Sequence, residues 1–149
     1  MMAAVSIERI AVPDQAPPGP GLPPWARGAT AALAEALFST HDGPPPAERL
    51  AWLIDELDHF FGHAGARARV SYFLCLIACS WLAPLLSLRP GALASLPLAE
   101  RLDTLERFER HPLGLALFGA KAILCILYYE HPDASREVGF DGSCLRGAR

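Results

Sequence analysis

Apolar residues recur along this chain at helical spacing. Leu50, Leu53, Ile54, Leu57 and Phe61 fall at i, i+3, i+4, i+7 and i+11, while Glu48, Arg49, Asp55, Glu56 and Asp58 take the other faces. That stripe predicts an amphipathic helix, opened by Pro46. Ala29, Leu33 and Leu37 repeat at spacing four and predict an earlier helix from about Trp25 to Ser39, stopped by His41-Asp42-Gly43-Pro44-Pro45. Gly62 and Gly65 mark a break, and a third helix is expected from about Ala66 to Ser87, ended by Arg89-Pro90-Gly91. Leu98, Leu102, Leu105 and Phe108 form the apolar side of a fourth, with Ser95 as its expected cap and Pro97 in its first turn. Its outer side alternates in sign through Glu100, Arg101, Asp103, Glu106, Arg107, Glu109 and Arg110. Arg110-His111-Pro112 turns the corner into a fifth helix, Leu113 to about Glu130. A turn at His131-Pro132-Asp133, one helical turn from Ala134 and a loop through Gly139-Phe140-Asp141-Gly142 follow.

Composition agrees with that map. The chain holds 25 Ala and 23 Leu against 13 Val, Ile and Thr together, which favours helix over strand. The expected fold is all-α, a compact bundle of about five helices. Residues 11–24 are too rich in proline for helix or sheet, so residues 1–24 are expected to form a flexible arm, 25–143 the helical domain and 144–149 a tail. At 149 residues with a net charge of -3, the chain suits one domain and lacks the basic excess of a nucleic-acid binder.

Two apolar runs raise the question of a membrane. Val70–Leu88 is 19 residues without a charge, flanked by Arg69 and Arg89. Its length permits a span, but three serines, Pro84 and arginines at both ends favour a central core helix that is apolar all round. The second run, Leu113–Tyr129, carries Lys121 near its middle, which opposes a span. Glu8 and Arg9 interrupt the first residues, which hold no secretory core and no twin-arginine pair. The expected location is therefore cytoplasmic or peripheral to the inner membrane, with export alongside a partner left open.

Candidate chemistry is sparse. Cys75, Cys79 and Cys125 lie in helical stretches and are expected to be buried free thiols, with Cys144 near the C-terminus an incidental one. Asp55, His59 and His63 would share a face on a continuous helix, but Gly62 is expected to interrupt it, so no metal site is assigned. Lys121 is expected to snorkel or pair with a carboxylate, and Asp133, Glu137 and Asp141 to be caps or solvated charges. No phosphate or dinucleotide loop and no nucleophile elbow appears, so no catalytic residue is assigned.

The C-terminal third runs Arg101-Leu-Asp-Thr-Leu-Glu-Arg-Phe-Glu-Arg-His111, then the apolar helix with Lys121, then Tyr128-Tyr129-Glu130-His131-Pro132-Asp133 and Glu137-Val138-Gly139-Phe140-Asp141-Gly142. This succession resembles the small helical subunits of glucose–methanol–choline (GMC) flavoprotein oxidoreductases, of the gluconate 2-dehydrogenase subunit 3 type. It is also similar to the helical region preceding the flavin domain of long-chain alcohol oxidases. Phe140 stands where those sequences usually carry Tyr, and the amino-terminal part matches through Trp25-Ala26-Arg27 and Leu33–Phe38. The resemblance implies a non-catalytic folding or docking companion that binds no cofactor itself. FAD and the catalytic machinery would reside in a large GMC partner chain. The contact is expected through Lys121, Tyr128, Tyr129, Pro132, Gly139 and Phe140, aromatic anchors beside Pro and Gly turns that could equally seal the bundle's own end. A small membrane-associated helical protein using residues 70–88 is the alternative.

Overall fold

The computed structural model describes residues 19–140. The fold is all-α, with six helices among the described residues: α1 Pro24–Leu37, α2 Ala47–His63, α3 Ala66–Leu86, α4 Leu98–Glu109, α5 Leu115–Tyr128 and α6 Pro132–Glu137. Five are those the apolar spacing predicts, and α6 extends the single expected turn. Short 3-10 turns at Leu93–Ser95 and Pro112–Gly114 lead into α4 and α5.

The central helix is not the expected one. Helix α1 packs against α2, α3, α4 and the 93–95 turn, and buries Ala26, Thr30, Ala32, Leu33, Ala34 and Ala36. At about 100° per residue these span an arc of roughly 200°. Alanine makes this possible, because small side chains let neighbouring helices close in on several sides. Around α1 the core is filled by Leu53, Leu57, Phe61, Tyr72, Leu76, Leu93, Phe108 and Leu124. The one polar pair at its centre is satisfied internally, Thr30 Oγ1 lying 2.8 Å from Tyr72 Oη. Burial drives the Tyr72 phenol well above its ordinary pKa.

Helix α3, expected to be enclosed, buries one face only. Tyr72, Leu76, Cys79 and Ala83 turn inward, whereas Val70, Leu74, Ile77, Trp81 and Leu85 are exposed. Residues Ala78–Leu82 form a π-helical segment in which the Ala83 N–H donates to the Ala78 carbonyl. On a regular helix Pro84, seven residues after Ile77, would fall on the outer stripe with it. The extra residue of the π turn rotates Pro84 into the core, and the outer stripe resumes at Leu85.

Three further expectations are corrected. Part of the arm is docked: Leu22 is buried, its N–H donates to Asp58 Oδ1 at 2.5 Å, and the Gly19 N–H donates to the Gly62 carbonyl at 2.7 Å. Residues 1–18 and 141–149, with the rest of the arm, Asp141, Gly142, Cys144 and the tail, lie outside the described residues. Ser95 does not cap α4; its hydroxyl donates to the Ala92 carbonyl and Pro97 occupies the cap position. Arg101 is not a solvated charge but a clamp. It donates to the Leu96 carbonyl at 2.8 Å, the Ala94 carbonyl at 3.2 Å and Glu35 Oε2 at 2.5 Å, tying the 93–96 turn to α1. Arg89 does the same between the end of α3 and α4, reaching Thr104 at 2.8 Å and Asp103 at 2.6 Å.

Candidate interaction surface

Two His-Pro corners place the C-terminal half. At His111-Pro112 and at His131-Pro132 the imidazole Nδ1 accepts the N–H two residues on, from Leu113 at 3.1 Å and Asp133 at 3.2 Å. Each histidine thus acts as a helix cap, accepting through an unprotonated nitrogen. Proline at the first helical position needs no N–H partner of its own. The first corner bends the chain by 106° between α4 and the Pro112–Tyr128 stretch. The sequence showed both prolines; the capping role of the histidines was legible only as the repeated His-Pro pair.

Downstream, the six residues expected to make a partner contact divide between fold and surface. Tyr128 is buried. Its ring stacks on Phe38 with centroids 3.8 Å apart and planes 5° apart, and its hydroxyl accepts from Arg49 Nη1 at 3.1 Å. Gly139 is the left-handed residue that ends α6, with φ +79°. Its N–H donates to the Arg136 carbonyl, and the Phe140 N–H to the Ser135 carbonyl, closing a Schellman cap. Both residues therefore build the end of the bundle. Tyr129, Pro132 and Phe140 are exposed, Tyr129 standing edge-on to Phe38 with centroids 6.2 Å apart. Lys121 is exposed and lies 3.6 Å from Glu109, the carboxylate pairing expected of it.

Arg49, placed by the pattern on a face other than the apolar stripe, is buried beneath this end. Its guanidinium grips Glu137 on α6 with two bonds, Nη1 to Oε2 and Nη2 to Oε1, each 2.8 Å. Glu137 is thus a clasp rather than a free charge. Phe38, Pro44, Pro46, Arg49, Tyr128 and Glu137 line a cleft of about 440 Å³ there, and its one buried cation is already bonded within the chain. Hydrogen bonds to Glu137 and then Tyr128 raise the Arg49 pKa, and Arg49 in turn holds the Glu137 carboxyl below the ordinary carboxylate range by direct hydrogen bonding. A depressed carboxylate stabilises the folded state above its unfolded-state pKa, and that contribution is lost as pH falls through the folded-state value. Protection of the 132–139 amides against hydrogen exchange, relative to intrinsic rates, is therefore expected to drop as the pH falls below the ordinary carboxylate range. Glu137→Gln should show low protection at neutral pH and a flatter response. Equal acid sensitivity in that variant would rule out the clasp.

Among the described residues the thiols and histidines form no cluster. Cys75, Cys79 and Cys125 are free, with Cys79 buried and the others half-buried. Burial pushes the Cys79 thiol up to about 12 and raises Cys75 and Cys125, which disfavours the reactive thiolate. Contrary to expectation, α2 continues through Gly62 to His63. His63 Nδ1 lies 3.0 Å from the His59 carbonyl, and no group of three His, Cys, Asp or Glu side chains is poised around a cation among the described residues.

An apolar surface feature belongs to α3 and α5. These helices pack so closely that a Cβ on Gly119 would stand 3.0 Å from Cys75 Sγ. Their outward sides are both apolar. Val70, Leu74, Ile77, Trp81, Leu85 and Leu88 line one helix and its end; Leu115, Phe118 and Ile126 line the other. Helix α3 is long and apolar enough to cross a membrane, with one third of its apolar window buried. No family model, curated protein or solved structure matches this chain.

Proposed function

We propose that this chain is a non-catalytic accessory protein that works by being covered, a docking companion of a larger protein. The observation that carries this reading is the outer apolar face of α3 and α5. Nine large side chains there are each close to half exposed or more. Taking about 150–200 Å² per side chain, the low end of the range for aromatic residues, their exposed fractions present on the order of 1,000 Å². The largest apolar patch on an ordinary monomer is about 300–600 Å². The partner class comes from the sequence resemblance: a GMC-type flavoprotein, carrying the FAD. Its contact would use Lys121 on α5 and the residues that the C-terminal end leaves outward, Tyr129, Pro132 and Phe140, with Tyr128 and Gly139 building that end. Co-expression with a GMC flavoprotein from the same organism tests this. The expected result is a co-purified pair with flavin absorbance, weakened by Tyr129→Ala with Phe140→Ala. A flavoprotein that purifies without the chain ends the proposal.

One observation favours a second reading. The length and apolar content of Ala66–Leu86 suit a membrane-associated protein. Extraction of the chain from the membrane pellet by carbonate would exclude residues 70–88 as a membrane segment; retention would support it.

A further inference from the structure

Leu88 carries two costs at once. It is 92% exposed and holds φ at +56°, the left-handed region that disfavours a side chain with a Cβ. It occupies the same Schellman position that Gly139 takes after α6: the Leu88 N–H donates to the Leu85 carbonyl and the Arg89 N–H to the Pro84 carbonyl. Glycine would close this cap with less strain, so the cap itself does not call for a leucine. What Leu88 adds is an exposed apolar side chain just past the end of α3. The outer stripe of α3 runs 70, 74, 77, 81, 85, steps of four and three that match a helix-packing seam, with the π segment absorbing the additional residue between 81 and 85.

We infer that a second copy of this chain covers the α3–α5 face, so that two helix pairs close into a four-helix core. This rests on the reading of that face as a docking surface, and it assigns the face to a second copy, leaving the C-terminal end with Tyr129 and Phe140 for the larger partner. The estimated area of about 1,000 Å² meets the ~800 Å² per partner of a stable interface. A two-fold pairing would set the exposed Leu74, Ile77 and Phe118 of each copy against the same apolar face of the other. The charges near it have both signs, Arg67 beside the start of α3 and the Lys121–Glu109 pair beside α5. A polar rim of mixed sign suits a protein interface, whereas attraction to an anionic bilayer would use a basic one.

Sedimentation of the full chain should give twice the 16.1 kDa mass at micromolar concentration. Leu74→Glu and Phe118→Glu, both at exposed positions, should each yield a monomer of unchanged helical content. Leu88→Gly should weaken the dimer by roughly tenfold, yet raise the melting temperature by a few degrees in the Leu74→Glu background, where only the cap is read. A chain that is monomeric throughout, a dimer indifferent to both glutamates, or flotation with phosphatidylcholine–phosphatidylglycerol vesicles overturns the inference. A monomer that still captures the flavoprotein through Tyr129 and Phe140 overturns the dimer and leaves the companion role standing. A dimer that captures none supports this inference and removes that role.

Discussion

Tyr128→Ala is expected to destabilise the protein by about 4 kcal/mol, in the range for truncating a large buried aromatic. The substitution removes the ring stacked 3.8 Å from Phe38, and it takes from Arg49 one of its hydrogen-bond partners. Arg49 is buried with its Nε unpaired, so losing a further partner adds a desolvation cost. Tyr129→Ala, one residue on, should cost under about 1 kcal/mol, because that side chain is exposed and touches Phe38 only edge-on. Denaturant unfolding of the two variants separates them directly. Equal losses would place both rings in the core and leave the C-terminal end without its outward aromatic. Tyr128→Phe isolates the hydroxyl and should cost about 1 kcal/mol.

Gly114→Ala is expected to cost about 3 kcal/mol, although it adds a single methyl group. The new Cβ would stand 2.6 Å from the Phe108 carbonyl oxygen and 2.7 Å from that of Glu109. Both are backbone atoms at the end of α4, so no side chain can swing away; the 106° corner itself has to open. Moving α5 relative to α4 would disturb the face that α5 shares with α3. A fall in melting temperature of about 10 °C follows for a domain of this size. Gly28→Ala is the matched control. Nothing lies within 4 Å of a Cβ there, and the position is inside α1, so alanine's helix preference should raise stability by about 0.5–1 kcal/mol. The same chemical change is thus expected to act with opposite sign at two glycines, and a neutral Gly114→Ala would show that the corner is soft.

Much of the fold was legible in the chain's own pattern. The stripe from Leu50 to Phe61, the proline and glycine stops and the excess of Ala and Leu over β-branched residues place the helices, because spacing and backbone propensity act locally. Pattern could not say which helix is central. An apolar run and an alanine-rich run both tolerate enclosure, and only packing shows that α1, with small side chains, is surrounded while α3 keeps one side outward. The charges of α2 and α4 look alike along the chain, yet Arg49 and Arg101 turn inward. Their partners Glu137 and Glu35 are 88 and 66 residues away, beyond anything a local pattern records.

The C-terminal end divides the same way. Its aromatic, proline and glycine residues marked it as distinctive. The assignment of Tyr128 and Gly139 to the fold, and of Tyr129 and Phe140 to the surface, depends on which side of α5 meets Phe38 and on the closing of the α6 cap. Sequence by itself established an all-α chain with a surplus of apolar residues gathered in two long runs. Where that surplus lies was set by long-range packing. Two helices share one outer face because α1 already occupies the middle of the bundle.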